Sequence, residues 1–144
     1  MAKELHLRVV TPDRTVVDRK VAGVSFRGFD GGYGILPNHA PLLTGIAGAG
    51  AVKILELDGK TTSMFASDGF AQVQHNVLTL VCEAGELAPE IDLERVKAAE
   101  ARAREKLAHL ERGSEGFLMA EVALRKALMR DAIGRGADQD SSYR

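Results

Sequence analysis

The chain has a single cysteine among its 144 residues. That excludes a disulfide framework and a thiolate zinc cluster. Cys82, in the apolar run with Leu78, Leu80 and Val81, reads as a reduced, buried thiol that fits a cytoplasmic compartment. Histidines are scarce and scattered: His6, His39, His75 and His109 lack the i, i+4 spacing of a metal-binding helix. Excess positive charge is also missing. At a formal net charge of −1 there is no broad basic field of the kind that nucleic-acid binders use to neutralise phosphates. No segment approaches the ~20 apolar residues needed to span a bilayer. The opening residues MAKELHLRVVTPDR alternate charged and apolar positions and do not form the apolar stretch of a signal peptide. The expectation is a soluble chain that can still dock on a membrane complex. Two large domains are excluded by length, since domains commonly run roughly 100 to 150 residues.

What is present divides into two halves with different periods. From Leu5 to about Leu87 short apolar runs alternate with polar residues and are punctuated by glycine, the pattern of half-buried strands. Leu5, Leu7 and Val9 share one face. Asp58-Gly59 predicts a two-residue hairpin turn, and His75-Asn76 a second hairpin. Many short strands with such turns favour a sandwich or barrel over a parallel sheet. After Pro89 the period becomes helical. Asp92 is placed to cap a helix running to about Arg112, GSEG (Gly113 to Gly116) breaks it, and a second helix follows from Phe117, ended by Gly134 and Gly136. So short a connection predicts an antiparallel hairpin. The reading is residues 1–87 as a β domain, 88–136 as a helical hairpin and 137–144 as a disordered tail.

The helical faces carry an energetic message. Val96, Ala99, Ala103, Leu107 and Leu110 form one stripe, and Phe117, Ala120, Leu124, Ala127 and Leu128 the other. Alanine favours helix but buries little area, and burial yields only about 25 cal/mol per Å². Such a hairpin forms readily and is weakly held, so both a permanently closed hairpin and one that opens onto a partner remain open.

The stretch DGGYGILPNHAPLL, residues 30 to 43, tests for chemistry. A phosphate loop needs glycines leading into a helix, with a lysine and a hydroxyl residue; here proline and extended chain follow. His39 has no nearby nucleophile motif and sits between Pro37 and Pro41, which favours a rigid contact corner over a general base. Ser67-Asp68-Gly69 reads as a strand-end turn. Lys97, Arg102, Arg104 and Lys106 alternate with Glu100 and Glu105 as a solvated helix face, whereas Arg125, Lys126, Arg130 and Arg135 are offset only by Glu121 and Asp131. They suggest a basic edge for an acidic partner or a nucleotide phosphate.

The core Gly34-Ile-Leu-Pro-Asn-His-Ala-Pro-Leu-Leu43, a β-rich first half and the helical segment IDLERVKAAEARA together resemble the epsilon subunits of bacterial rotary ATP synthases, from Leu5 to about Ile133. The resemblance implies a β-sandwich of about ten strands followed by an antiparallel pair of α-helices. It also implies a non-catalytic central-stalk subunit at the cytoplasmic face of the bacterial plasma membrane, peripheral to it. That subunit would touch the gamma subunit and the c-subunit ring, couple the catalytic head to a proton-driven ring, and restrain ATP hydrolysis when its helices extend toward the alpha and beta subunits. The ring contact corresponds to Asp30, Gly31, Gly32, Asn38 and His39, with glycine at position 32 where some relatives are acidic. The inhibitory helix corresponds to Arg125, Lys126, Arg130 and Arg135. No cofactor is required, but some relatives bind ATP as a regulatory ligand. Their motif falls here on Ile91, Asp92 and Arg95, with Val96 in place of alanine, and on Glu86, Lys126 and Arg130. Lys126 replaces an arginine and so lacks its bidentate fork. The plainer alternative makes Asp92 a helix cap and Arg95 a surface ion-pair partner.

Overall fold

The structure, a computed structural model, describes residues 3–136. Strands β1 (Leu5–Val10), β2 (Thr15–Val21), β3 (Gly23–Gly28), β4 (Gly31–Ile35), β5 (Leu42–Leu55), β6 (Thr61–Gln74) and β7 (Val77–Leu87) lead through a short 3-10 turn, Ala88–Glu90, to helices α1 (Leu93–His109) and α2 (Glu115–Gly134). Hydrogen bonding orders the strands β2-β1-β7-β6-β5-β3-β4. All neighbours are antiparallel except β1 and β7. Seven described strands cover the ground expected of about ten because β5 and β6 each run 14 residues. The tail at 137–144 lies outside the described residues.

Alternation in β1 buries Leu5, Leu7 and Val9, which join Val24 and Phe26 of β3, Met64 and Ala66 of β6 and Leu78 and Leu80 of β7 in one cluster. Most are wholly inaccessible, and one face of a flat sheet cannot achieve that uncovered. The helices lie against the opposite face of β5 and β6, so the layer covering this cluster is the sheet's own other half. The long strands make the fold-over. Register slips in β5 between Ile46 and Ala49, with Gly48 at φ +61°, and across from it Asp68 of β6 has φ +46°. At the same bend Gly69 lets β7 approach so closely that a Cβ there would lie 1.8 Å from the Val81 carbonyl oxygen. Ser67-Asp68-Gly69 is therefore a mid-strand bend and not the expected strand-end turn.

The two predicted hairpins differ in outcome. His75 and Asn76 both take positive φ, 53° and 61°, as a two-residue turn between twisted strands requires. At Asp58-Gly59 only the glycine does so (φ +89°), and the connection widens to Glu56–Lys60. It is closed by Gly59 N–H donating to Glu56 O and Lys60 N–H to the Asp58 carboxylate.

Asp92 caps α1, its carboxylate accepting from the amides of Glu94 and Arg95 at 3.1 and 3.3 Å. Ser114 caps α2 by accepting from Phe117 N–H, so the second helix starts two residues before the expected Phe117 and Gly116 lies inside it. α2 packs on β5 and β6, folding the hairpin against the sandwich. Ala51 and Phe65 of the sheet's outer face, Ile91, Val96, Ala127 and Ile133 form this second, smaller core. Ser63 through Ser67 are consequently buried on both faces of β6. Leu110 and Leu128, expected in the seam, are exposed: Leu110 is the C-cap just past the end of α1, and Leu128 is turned about 100° around α2 from the buried Ala127.

Candidate functional site

The inner faces of α1 and α2 enclose a cavity of about 590 Å³ beside the end of β7, within the size range of small-molecule sites. The cap at Asp92 sets the entry of α1, and one and three turns on, Arg95 and Arg102 project from the same face. Lys126 and Arg130, one turn apart on α2, oppose them, and Glu86 closes the sheet side. Glu86, Asp92, Arg95, Lys126 and Arg130 are thus brought together from three elements. Ile91 is not part of the wall: it is 8% exposed and packs beneath the end of α2, where a Cβ on Gly134 would lie 3.2 Å from it.

The electrostatics of the cavity are uneven. Arg130 Nε donates to Glu86 Oε1 at 2.8 Å, and its guanidinium carbon stands 4.2 Å from the centre of the Phe65 ring, a cation–π contact. Lys126 Nζ lies 3.2 Å from Asp68 Oδ2. The side chains of Arg95 and Arg102 have no ion-pair or hydrogen-bond partner among the described residues. Four cations face the two wall carboxylates, Glu86 and Asp92, and one of those is engaged in capping. The arrangement suits an anion with several charged oxygens, and Ala98, Ala99, Ala123 and Ala127 leave the room for it.

Arg102, Asp68 and Phe65 were not legible as site residues. Arg102 was hidden among mixed charges, of which Arg104 does pair on the surface with Glu100 at 3.1 Å. The four cations of the expected basic edge do not form one edge. Lys126 and Arg130 face the cavity, Arg135 turns back on Asp131 at 2.8 Å beside Lys97 and Arg104, and Arg125 is exposed. A rotation of about 100° per residue spreads those positions around the helix.

The residues expected at a ring contact sit on two exposed turns. Phe29 and Asp30 link β3 to β4, with Gly31 at φ +131° and Gly32 beside it. The Asp30 carboxylate accepts from Tyr33 Oη at 2.8 and 3.0 Å. Leu36 to His39 form the second turn, closed by His39 N–H to Leu36 O at 3.2 Å. There Asn38 has φ +67°, the value the third residue of such a turn needs. Asn76 braces it, its side chain accepting from Asn38 N–H and donating to Glu4 O, both at 2.8 Å. The His39 ring Nδ1 lies 2.7 Å from Ala40 O. Around these turns Phe29, Leu36, Leu43 and Phe70 are 73%, 61%, 70% and 42% exposed. Phe29 lies on Gly45, which pairs with Phe70 and shares its face with Leu43, so three of the four form one apolar patch on the outer face.

Comparison with known proteins gives a consistent result. Residues 4–88 match the family described as ATP synthase, Delta/Epsilon chain, beta-sandwich domain, and residues 90–130 match ATP synthase, Delta/Epsilon chain, long alpha-helix domain. The chain is 39% identical to the ATP synthase epsilon chain of Nitratidesulfovibrio vulgaris (strain DP4) over 130 residues, 90% of this chain and 95% of that one. It is also 39% identical to the ATP synthase epsilon chain of Halalkalibacterium halodurans over 133 residues, 91% of this chain and 98% of that one. Among solved structures, a chain of the Euglena gracilis mitochondrial ATP synthase, in its OSCP/F1/c-ring portion, shares the fold. Its TM-score is 0.74 at 23% identity, covering 92% of this chain and 82% of that chain.

Proposed function

Because the chain belongs to the delta/epsilon chain family of ATP synthases, we propose that it is a non-catalytic subunit of the central stalk, coupling the catalytic head to the rotation of a proton-driven c-ring. It would work at the cytoplasmic face of the bacterial plasma membrane, bound there only through the complex. The turns carrying Asp30, Gly31, Gly32, Asn38 and His39 contact the ring, and the apolar patch of Phe29, Leu43 and Phe70 docks on the gamma subunit. In this reading the helical hairpin is the regulatory element. Released from the sandwich, α2 carries Arg125, Lys126, Arg130 and Arg135 toward acidic segments of the alpha and beta subunits and restrains hydrolysis.

One observation carries the regulatory part. The sandwich has its own complete core, and α2 meets it through a small alanine-rich contact and two partly exposed ion pairs, Lys126–Asp68 and Arg130–Glu86. A contact of that kind can be exchanged for another at modest cost. The cavity supports a second component: ATP, bound through its phosphates by Arg95, Arg102, Lys126 and Arg130, holds the hairpin closed. A free-standing ATP-sensing module would share this site but would not recover gamma in a pull-down.

The test is ATP hydrolysis by the reconstituted complex carrying either the full chain or one ending at Pro89. Faster hydrolysis with the truncated chain is expected. Equal rates at every nucleotide level reject the regulatory role.

A further inference from the structure

Asp68 holds a backbone conformation that an L-residue does not adopt freely, φ +46° in the middle of β6. Its side chain shows what the position achieves: the carboxylate reaches α2 and meets Lys126 Nζ at 3.2 Å. Both cations that α2 contributes to the cavity are therefore already held by sheet carboxylates, whereas Arg95 and Arg102 of α1 are unpaired among the described residues. The two holders differ. Glu86 is part of the cavity wall, and Asp68 is not. An anion entering the cavity shares the Lys126 ammonium with a carboxylate that is outside the cavity wall.

We propose that Asp68 sets the anion affinity of the cavity, serving as an internal counter-ion with which a bound polyphosphate must compete for Lys126. This rests on the nucleotide reading above. Removing the carboxylate frees an ammonium for phosphate and deletes a repulsive charge close to the site. The repulsion alone, over roughly 6 Å at a dielectric near that of water, is worth roughly threefold, and the freed ammonium brings the gain to as much as roughly tenfold. If Asp68 were only a clasp for α2, the sign would be opposite, because a smaller docked fraction lowers the apparent affinity in proportion.

The experiment is calorimetric titration of the full-length protein with ATP, comparing wild type, Asp68→Asn and Asp68→Gly. Asparagine tolerates the left-handed conformation, and glycine relieves it entirely, so at least one variant keeps the native fold. Tighter binding in the variants is expected, and in a Lys126→Gln background the gain should shrink to the roughly threefold left by the lost repulsion. Equal or weaker binding in both variants, with ATP still bound by the wild type, overturns the role of Asp68 and leaves the nucleotide site standing. Absence of binding in every protein overturns the nucleotide reading and this proposal together.

Discussion

A methyl group at Gly69 would sit 1.8 Å from the Val81 carbonyl oxygen, a backbone atom that cannot step aside. Gly69→Ala should therefore destabilise the sandwich by about 3 kcal/mol, read as a lower urea midpoint. Arg130 offers a different single-residue test. It joins an ion pair to Glu86 with a cation–π contact on Phe65, so Arg130→Ala should cost roughly 1 to 2 kcal/mol of hairpin docking. Faster hydrogen exchange confined to α1 and α2 would report it. At this scale the sequence was most legible where a residue acts on its own neighbourhood: Asp92 as a cap, and His75-Asn76 as a tight turn. It was least legible where partners come from distant positions. Nothing near Asp68 in the chain points to Lys126, and nothing near Arg102 separates it from the solvated charges beside it.

Among the elements, two guanidinium–carboxylate pairs lock the early strands to later chain. Arg19 on β2 donates to Glu56 in the β5–β6 connection at 2.7 and 3.1 Å, and Arg14 after β1 donates to Glu90 in the linker at 3.1 and 3.2 Å. Hydrogen bonding from the arginine holds each glutamate below its ordinary value of 4.5. A carboxylate depressed in the folded state stabilises the fold above that ordinary value, and the contribution is lost as pH falls from about 4.5 through the lower folded value. Arg19→Ala should accordingly lower the melting temperature at pH 7, by an amount that shrinks as pH falls below about 4.5. The order of strands followed by a helical hairpin was readable from period, whereas the choice of a sandwich over a barrel came from the family resemblance. The bend in β5 and β6 was not, because a bulge changes pairing without interrupting the alternation on either side. Leu110 was misplaced in the seam because periodicity does not fix where a helix ends, and Leu128 because a wide apolar stripe includes positions at its rim.

For the whole molecule, the division into a self-sufficient sandwich and a lightly docked hairpin implies a hierarchy of stability. A chain ending at Pro89 should still unfold cooperatively, since the larger core draws on β1 to β7 alone. Loss of cooperative unfolding would mean that the hairpin is part of one indivisible core. The same division is what a subunit needs if it holds a fixed station on a rotating stalk while its helices change position.

The proposed change of position is directly measurable in the assembled complex. Spin labels on cysteines replacing Leu118 on the exposed face of α2 and Thr61 at the start of β6, at the far end of that strand from Phe70, would report the separation of hairpin and sandwich. Native Cys82 would stay unlabelled, being 2% exposed with its thiol pushed up to about 11 by burial. The account predicts a single short distance at high ATP and a second, longer population when ATP is withdrawn. One short distance under every condition would contradict it.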